Sequence, residues 1–460
     1  MPLSYSGNGM STEELARSIV SRLRSAGHQA YLVGGCVRDL LLGRKPKDFD
    51  VATDARPDRV SELFERSEQV GAHFGVVLVR ENTSQVEVAT FRSDSGYSDG
   101  RRPDRVSFEA GPRQDVLRRD FTINALLLDP ATNQVLDFVG GQEDLRRRVI
   151  RAIGDPESRF REDHLRLIRG VRFAARLGFD IEAATMAALR QWHGLIASVS
   201  AERVRDELVR ILTEGGARRG FELLDETGLL GDILPEVAAM KGVEQPPEFH
   251  PEGDVWTHTL LLLEKLRNPT VTLAMGALLH DVGKPRTFRL AERIRFDGHV
   301  EEGVALANAI LARLRFSNEQ TGQIEALIAH HMRFKDAYKM RESTLKRFLR
   351  MENFGEHLEL HRIDCLSSNG NLDNYKLVLS LLAEMGQEEL KPKPLLTGHD
   401  LIAEGYEPGP AFGKMLAAVE DAQLEARVRS REEALALVRA EFGDPVRAGK
   451  QKPYKALRRT

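Results

Sequence analysis

The sequence predicts an α+β protein in which a mixed α/β segment comes first and helices follow. Up to about residue 150, short Val-rich runs with the alternation of strands are interleaved with stretches that carry apolar residues at helical spacing. From Arg159 onward the apolar periodicity is helical throughout. A chain of 460 residues is too long for one ordinary core, so we expect two to four domains.

The first segment begins with a helix-capping signal, because Ser11 and Thr12 precede an apolar-periodic stretch that ends near Gly27. Residues 92–115 are polar, carry several glycines and prolines, and are expected to form a mobile loop. The other elements expected here are helices at 36–42 and 57–64 and strands at 31–33, 48–51, 75–79 and 85–91.

Two features around residue 40 are suited to chemistry. A short apolar run ends in Gly34 and Gly35, whose backbone N–H groups can approach an anion because no Cβ intervenes, and a helix follows. Asp48 and Asp50 stand two apart on a predicted strand, so both carboxylates would lie on one face. Such a pair suits Mg²⁺. Gly-Gly alone is most often a turn and Asp-x-Asp alone a solvated strand end, but their order and spacing favour phosphoryl transfer.

The stretch GGCVRDLLLG followed by DFDVAT resembles the active-site signature of the tRNA nucleotidyltransferase and poly(A) polymerase family, whose head domain is a polymerase-beta-like nucleotidyltransferase. The resemblance implies that Asp48 and Asp50 hold two Mg²⁺ ions and that Glu87 has a further acidic catalytic role. It also assigns the cradle of the nucleotide triphosphate to three residues, Gly34, Gly35 and Arg38.

Arg118, Arg119 and Asp120 stand at the mouth of the apolar segment FTINALLLD. A carboxylate there can accept from a ribose hydroxyl while an arginine fork holds phosphate, although a surface salt bridge explains the three residues equally well. The segment RRDFTINAL is similar to the ribose-recognition motif of the same family. This similarity implies nucleotide binding by all three residues.

Three arginines, Arg166, Arg169 and Arg172, follow Asp163 at spacings of three and form a stripe on one predicted helix. The acid and the arginines offer the acceptors and donors that reading a base edge requires, whereas a solvated, salt-bridged face is the ordinary alternative. The stretch EDHLRLIRGVRFAARLGF resembles the family's amino-acid template. This resemblance implies that Asp163 and Arg166 pair with incoming CTP or ATP and that the other two arginines contact nucleotide or phosphate. By the same resemblance, DFVGGQEDL is a head–neck hinge and AERVRDEL a helix-stabilising motif.

A second set of metal-ligand residue types lies farther along the chain. Imidazoles and carboxylates held by several helices can bind one or two metal ions and activate water for phosphoester hydrolysis, although a single His on such a helix is ordinary packing. His280 and Asp281 are adjacent at the end of the apolar run LAMGALL, and the set resembles the HD phosphohydrolase superfamily. The implied ion is a transition metal such as Ni²⁺, Co²⁺ or Mn²⁺. Its implied ligands are His258, His280, Asp281, His299, His330 and Asp364.

Composition limits what the protein binds and where it acts. The net charge is only −3 with a pI near 6.5, so a nucleic-acid surface must be local. Two cysteines, Cys36 and Cys365, offer no disulfide framework, which agrees with a reducing cytosol. The N-terminus lacks the pattern of a signal peptide, and no apolar run reaches the length of a membrane span. We therefore expect a soluble, cytoplasmic protein without a membrane partner.

These patterns predict four domains. Residues 1–150 are expected to be the catalytic head, 151–238 a helical neck that binds base and RNA, 239–370 an HD domain, and 371–460 a helical body with a basic tail that binds tRNA. The resemblance implies template-independent addition of CCA, or of its terminal A, to tRNA 3′ ends from CTP and ATP with release of pyrophosphate. The loop at 91–111 is whole, as A addition requires in this family.

Three alternative functions remain at this stage. A poly(A) polymerase shares the same head and would use ATP alone. An HD-type nucleotide or cyclic-phosphate hydrolase would use the head only to bind a ligand. A non-catalytic RNA-binding protein is disfavoured by the intact Asp-x-Asp pair.

Overall fold

The computed structural model describes residues 10–70, 75–97, 99–101, 103–108 and 111–445. Contacts divide the chain into two units, Met1–Glu325 and Ala326–Thr460. The predicted basic tail, residues 447–460, lies outside the described residues. The boundaries between the four predicted domains stay a prediction.

The strands follow one another in chain order with these bounds: β1 (Ala30–Val33), β2 (Asp50–Thr53), β3 (Ser67–Gln69), β4 (Val76–Glu81), β5 (Ser84–Thr90), β6 (Ser93–Ser95), β7 (Arg105–Ser107), β8 (Leu127–Leu128), β9 (Val135–Leu136), β10 (Val149–Ile150), β11 (Asp180–Ile181), β12 (Arg289–Leu290) and β13 (Ile294–Arg295).

The α-helices from the N-terminus to the middle of the chain are α1 (Thr12–Ser25), α2 (Gly35–Leu41), α3 (Pro57–Leu63), α4 (Pro112–Leu117), α5 (Gly141–Arg147), α6 (Pro156–Glu162), α7 (Arg166–Leu177), α8 (Ala183–Trp192), α9 (Ala201–Thr213), α10 (Ala217–Thr227), α11 (Leu229–Ile233) and α12 (Pro235–Ala238). The remaining ones are α13 (Val255–Lys265), α14 (Val271–Leu279), α15 (Lys284–Thr287), α16 (His299–Arg313), α17 (Asn318–His330), α18 (Glu342–Leu349), α19 (Phe354–Ser367), α20 (Asp373–Glu384), α21 (Gln387–Leu390), α22 (Gly398–Ala403), α23 (Pro410–Leu424) and α24 (Arg431–Phe442). Short 3₁₀ helices lie at Thr122–Asn124, His193–Ser198 and His331–Lys339.

A mixed sheet forms the core of the first 150 residues. Among the described residues it has seven strands in the order β3-β4-β5-β2-β1-β8-β9. β2 and β5 pair in parallel and the other neighbours are antiparallel. The register sets Asp50 directly opposite Glu87, so two predicted catalytic carboxylates lie on neighbouring strands. The predicted α+β class is therefore confirmed.

Helix α1 covers part of this sheet in the way that its capping signal predicts. Ser11 and Glu14 form a reciprocal capping box, which satisfies backbone N–H groups that the first turn leaves without partners. Ile19 and Leu23 are fully buried, one helical turn apart. The local sequence is thus sufficient to start the helix and to choose the face that packs.

Two expectations about the head differ from the structure. Strand β2 begins at Asp50 and Asp48 precedes it, because β1 ends at Val33, the partner of Asp50, and its chain turns away at Gly34. The segment expected to be a loop at 92–115 contains the β6–β7 hairpin and helix α4. The helix begins there because proline is favoured in the first turn. Some of this segment lies outside the described residues.

Beyond the head, the described residues are mainly helical, as expected. Helix α7 is buried along most of its length and packs against α9 and α10. Two small β features were not expected, a parallel pairing of β10 with β11 and a hairpin of β12 with β13. Among the described residues, every helix is too short or too polar to span a bilayer.

The second unit contains two apolar clusters. One gathers Phe334, Phe348 and Phe354, whose rings contact edge to face or tilted at centroid distances of 4.9 to 5.9 Å. The other includes Leu401 and Val438 from helices α22 and α24. Each cluster forms its own small core.

Candidate active site

A cavity of about 500 Å³ opens beside the sheet within the first unit. Of the described side chains that line it, nine are basic and six acidic, so its surface is locally positive in a chain of net charge −3. This size suits a small-molecule ligand such as a nucleotide. Its lining residues are Gly34, Gly35, Cys36, Arg38, Asp39, Lys47, Asp48, Asp50, Arg118, Arg119, Asp120, Asn124, Asp163, Arg166, Arg169, Arg172, Phe173, Arg176, Arg210 and Glu214.

The predicted carboxylate residues Asp48 and Asp50 both line this cavity. Burial and the negative charges of Glu87 and Asp48 together raise the pKa of Asp50 to about 6, although Arg119 opposes them. Glu87 does not itself line the cavity. Carboxylate oxygens that repel one another are the donor set that a divalent cation stabilises, so Asp48 and Asp50 fit Mg²⁺.

Gly34 lies close to both Asp50 and Arg119. Its backbone, at φ 81° and ψ −134°, has a conformation that is strained for residues with a Cβ. A Cβ at Gly34 would lie 3.7 Å from Arg119 Nη1 and 3.8 Å from Asp50 Oδ2. Gly34 therefore lies between a carboxylate that can bind metal and a cation that can bind phosphate.

Arg38 lines the cavity, but its guanidinium is committed to the protein. It is 3% exposed, donates from Nε to Asp39 Oδ1 (2.8 Å) and from Nη1 to Asn124 Oδ1 (2.7 Å). These bonds use two of its five N–H groups and give Arg38 a role in orienting Asn124, while the contact with phosphate that the resemblance implied stays a prediction.

Arg118 and Arg119 are both held by Asp115, a residue that sequence reasoning missed. Asp115 is 1% exposed; Arg118 donates to its Oδ1 (2.6 and 3.0 Å) and Arg119 to its Oδ2 (2.9 and 3.3 Å). Burial raises the pKa of Asp115, but the two arginines outweigh burial and lower it overall. The spacings of three and four residues from the carboxylate to the arginines were the available signal.

Asp120 is occupied by donors of the protein itself. Its Oδ1 accepts from Phe121 N (2.7 Å) and Asn124 Nδ2 (3.3 Å), and its Oδ2 accepts from Arg169 Nε and Nη2 (3.0 and 2.7 Å). Burial raises the pKa of Asp120, but Arg169 outweighs it and holds the pKa at about 2. Four donors fill the acceptor capacity of a carboxylate, so this geometry favours Asp120 as the anchor of Asn124 and Arg169 over direct ribose binding.

Arg166 is fixed at the start of α7 with part of its guanidinium left over. Its Nη1 donates to Glu162 Oε2 (2.8 Å) and to the carbonyl of Arg159 (3.1 Å), and its Nη2 donates to the carbonyl of Arg118 (2.7 Å). No hydrogen bond of Nε is found among the described residues. Three of the five N–H groups thus hold the side chain in place, and the Nε edge can serve a ligand.

Asp163 lies at the C-terminal end of α6 and not on the arginine helix. Its carboxylate accepts from Arg203 Nη2 at 3.3 and 3.4 Å. The neighbouring His164 N–H donates to the carbonyl of Gly100 (3.0 Å), so the segment after the head's β5 strand touches the predicted template. A Cβ at Gly100 would lie 2.2 Å from the His164 ring, and only glycine allows this approach.

Arg172 is a structural link between helices. It is 4% exposed, donates from Nε to Glu207 Oε2 (2.5 Å), and lies 4.3 Å from the centroid of the Phe173 ring. Glu207, within AERVRDEL on α9, is 3% exposed and also lies 3.7 Å from Arg169. This buried carboxylate explains how that segment stabilises α7. Arg172 also lines the cavity, and its nucleotide contact stays a prediction.

The first unit also brings together four of the six predicted HD ligands. His258 Nε2 lies 3.3 Å from His280 Nε2 and 3.9 Å from Asp281 Oδ2. His299 Nε2 lies 3.8 Å from Asp281 Oδ1. Lys284 Nζ contacts Asp281 Oδ2 at 2.7 Å and is 6% exposed. Asp281 is therefore the centre of a buried group of imidazoles.

The tautomers of these imidazoles follow from their second nitrogens. Nδ1 of His280 lies 2.9 Å from the carbonyl of Ala277, and Nδ1 of His299 lies 2.8 Å from that of Phe296. A carbonyl can only accept, so each Nδ1 carries a proton, and in the neutral ring each Nε2 then carries the lone pair and lies 3.1 to 3.8 Å from a carboxylate oxygen of Asp281. Burial lowers the pKa of His299, which keeps its ring neutral. Converging lone pairs and a carboxylate fit a transition metal.

The other two predicted ligands, His330 and Asp364, belong to the second unit, on α17 and α19. Their neighbour His331 is 5% exposed, and its Nδ1 lies 2.7 Å from the carbonyl of Ile328. His331 therefore has the same tautomer pattern as His280 and His299. His330 stays a prediction, and His331 is a further candidate ligand on the same segment of the second unit.

Comparison with known proteins gives three family matches. The poly A polymerase head domain matches residues 30–151, the probable RNA and SrmB-binding site of polymerase A matches 178–241, and the HD domain matches 254–362. Enzymes with this head use a divalent metal ion, and the HD region carries candidate metal-binding groups.

Individual relatives give the same answer. The CCA-adding enzyme of Lactobacillus helveticus is 42% identical over 254 residues, 54% of this chain and 63% of that protein, so this chain spans about three fifths of that curated relative. The crystal structure of the Bacillus stearothermophilus CCA-adding enzyme in complex with CTP superposes with a TM-score of 0.70 and 27% identity, covering 92% of this chain and 97% of the other.

The longest of these alignments decides the family. The CCA-adding enzyme of Lactobacillus johnsonii is 30% identical over 430 residues, which is 91% of this chain and 95% of that enzyme. An alignment of this length reaches into all three regions that match the family models. The chain belongs to the family of CCA-adding enzymes.

Proposed function

We propose that the protein adds CCA to tRNA 3′ ends from CTP and ATP, without a nucleic-acid template. One observation carries the proposal: a single cavity of nucleotide size is lined by the Asp48–Asp50 pair, by Gly34 and Arg119, and by the arginine helix α7. Metal ligands, a phosphate-binding cation and base-reading groups are the three parts that nucleotidyl transfer with an amino-acid template requires.

The role of each side chain follows from the donors and acceptors that its hydrogen bonds within the protein do not use. Asp48 and Asp50 would hold Mg²⁺, which when bound activates the tRNA 3′-hydroxyl and stabilises negative charge on the triphosphate. Arg119 Nη1 faces Gly34 and would bind the triphosphate, while its other nitrogens stay on Asp115. Glu87 would act indirectly, through its charge on Asp50.

Base selection falls to the start of α7. Asp163 supplies acceptors and the Nε edge of Arg166 supplies a donor, and the three protein bonds of Arg166 keep that edge in one orientation. Held this way, the arginine loses little conformational entropy when a base binds. Asp120 and Arg169 would fix the cavity wall against which the nucleotide lies.

The test uses one tRNA in three forms, ending before the CCA, after CC and after CCA, each incubated with CTP, ATP or both. The proposal expects CC from CTP, A from ATP only on the CC end, and no extension of the complete end. Long A tracts from ATP alone on any RNA would instead identify a poly(A) polymerase. Asp50→Ala should abolish all incorporation while tRNA binding persists, since carboxylates position metal and not RNA.

We also propose that the HD residues form a transition-metal site with phosphohydrolase activity. The converging Nε2 atoms of His258, His280 and His299 beside Asp281 support it. The test is metal analysis of purified protein, followed by hydrolysis of a 2′,3′-cyclic phosphate with Ni²⁺, Co²⁺ or Mn²⁺. Absence of bound metal together with absence of hydrolysis would refute this part.

The cytoplasm, where tRNA and nucleotides meet, stays the expected location.

A further inference from the structure

We call His258, His280, Asp281 and His299 the HD group. The segment between α12 and α13 contacts this group, although its Gly- and Pro-rich sequence is typical of a break between domains. Gln245 is 4% exposed, and its Oε1 accepts from Lys284 Nζ at 2.6 Å. Seven residues later, the side chain of Glu252 is 8% exposed. Both residues lie before the region that matches the HD domain, which starts at residue 254.

Glu252 receives two imidazoles on one oxygen. Its Oε1 lies 2.7 Å from His258 Nδ1 and 2.9 Å from His250 Nδ1. The two rings meet edge to face, 83° apart, with centroids 4.9 Å from each other. A carboxylate only accepts, so both Nδ1 atoms carry protons that they donate to Glu252.

This arrangement fixes what His258 can present on its other side. With the proton on Nδ1, Nε2 carries the lone pair, and Nε2 is the atom that lies 3.3 Å from His280 Nε2 and 3.9 Å from Asp281. His280 obtains the same tautomer from a backbone carbonyl, whereas His258 obtains it from a charged carboxylate. A carboxylate behind a ligating imidazole orients the ring and raises its basicity.

A second metal ion among His250, Glu252 and His258 is a weaker interpretation of the same atoms. The three groups are close enough to be considered a ligand set. However, the nitrogen–oxygen separations of 2.7 and 2.9 Å are those of hydrogen bonds, and metal binding there would require His258 to lose both ring protons and bridge two ions.

We propose that Glu252 is the positioning residue of the HD metal site: it holds His258 in the tautomer and orientation that bind metal, and His250 holds Glu252 in place. The inference rests on the proposed HD metal site. It extends that site into a segment outside the matched HD domain and assigns it a carboxylate that binds no metal itself.

The experiment measures Co²⁺ affinity and the visible spectrum of the bound ion in full-length protein. Glu252→Gln keeps the size and an acceptor but removes the charge, and Glu252→Asp keeps the charge. Glu248→Gln changes an exposed carboxylate in the same segment and is the matched control. Asp281→Ala removes a proposed ligand. Melting of the metal-free proteins and nucleotide addition report whether each variant is folded.

We expect Glu252→Gln to weaken Co²⁺ binding by roughly 10- to 100-fold and to alter the spectrum, with unchanged metal-free melting. Glu252→Asp should recover part of the affinity, and Glu248→Gln should match the unsubstituted protein. If Asp281→Ala loses Co²⁺ but Glu252→Gln binds it normally, the metal site stands and the inference is wrong. If the unsubstituted protein binds no Co²⁺, Ni²⁺ or Mn²⁺, the proposed site fails and the inference fails with it.

Discussion

At the scale of single residues, one buried carboxylate holds two of the arginines that line the cavity of the candidate site. Asp115 holds Arg118 on one oxygen and Arg119 on the other, and it is almost completely removed from solvent. A charge-assisted hydrogen bond in such a place is worth more than a surface ion pair, and losing the acceptor leaves buried donors without a partner. Its importance therefore exceeds that of an ordinary salt bridge.

The variant Asp115→Asn should slow nucleotide incorporation by roughly 10- to 100-fold, because small displacements of positioning groups are costly in phosphoryl transfer. The decrease should appear mainly in kcat/KM for both CTP and ATP. Steady-state kinetics measures it, with CTP on tRNA that ends before the CCA and with ATP on tRNA that ends in CC. Glu62→Gln, which removes an exposed partner of Arg59 on α3, is the control and should leave the kinetics unchanged. Normal kinetics in Asp115→Asn would contradict the role of Asp115 in positioning Arg118 and Arg119.

Asp120 gives a prediction about pH. Its folded pKa of about 2 lies below the ordinary value of 3.8, so the unfolded chain takes up this proton first as the pH falls. The carboxylate thus contributes stability that is complete above about pH 4 and is lost as the pH falls toward 2, roughly 2 kcal/mol in all. The stability difference between the unsubstituted protein and Asp120→Asn should therefore shrink across this range. Urea unfolding midpoints at pH 7, 4 and 3 measure it, and a constant difference would exclude the linkage.

At the scale of elements, the HD group depends on how closely helix α16 approaches the chain after α14. A Cβ at Gly283 would lie 2.1 Å from the carbonyl oxygen of His299 and 2.6 Å from Gly303 N. Both contacts are with backbone, which cannot rotate away as a side chain can. The absence of a side chain at Gly283 therefore sets the position of His299 at the start of α16.

Gly283→Ala should force α16 outward and reduce the free energy of unfolding by about 1 to 3 kcal/mol, which lowers the melting temperature. The displacement of His299 should also weaken metal binding. Gly322→Ala is a suitable control, because that glycine lies inside α17 and a Cβ there meets nothing within 4 Å. Alanine favours a helix interior by up to about 1 kcal/mol, so this control should melt at the same temperature or higher. Equal melting and equal Co²⁺ affinity in both variants would contradict the close approach.

At the scale of the whole molecule, two sets of proposed metal ligands with different chemistry lie far apart in sequence. Asp48 and Asp50 offer oxygen alone, which suits Mg²⁺, whereas the HD group adds imidazoles, which suit transition metals. More than 200 residues separate Asp50 from the HD pair. We infer that each site performs its reaction without the other.

The two activities should therefore separate by mutation. Asp50→Ala should lose nucleotide addition and keep Co²⁺-dependent hydrolysis, and Asp281→Ala should do the reverse. Assays of both reactions on the same purified preparations measure this. Loss of both activities in either variant, with normal melting, would show that the sites are coupled.

The sequence by itself determined the local structure and the kinds of chemistry. Helix α1 and the strand–glycine–helix order around Gly34 follow from periodicity and spacing over a few residues, and each agrees with the structure within a residue or two. The strand that was predicted to carry both Asp48 and Asp50 begins only at Asp50. The α+β class could be predicted for the same reason, since strand and helix patterns are local properties of the chain.

Only the tertiary structure decided which charged groups meet and what each has left to offer. Asn124 binds Arg38, Glu207 binds Arg172, and Gln245 binds Lys284, although the partners are 86, 35 and 39 residues apart in sequence. No local pattern encodes such pairs, because burial and partner choice depend on which helices pack together. For this reason local pattern could point to Arg38 and Arg172 but not to the buried acceptors that hold them, and their contact with a ligand stays a prediction.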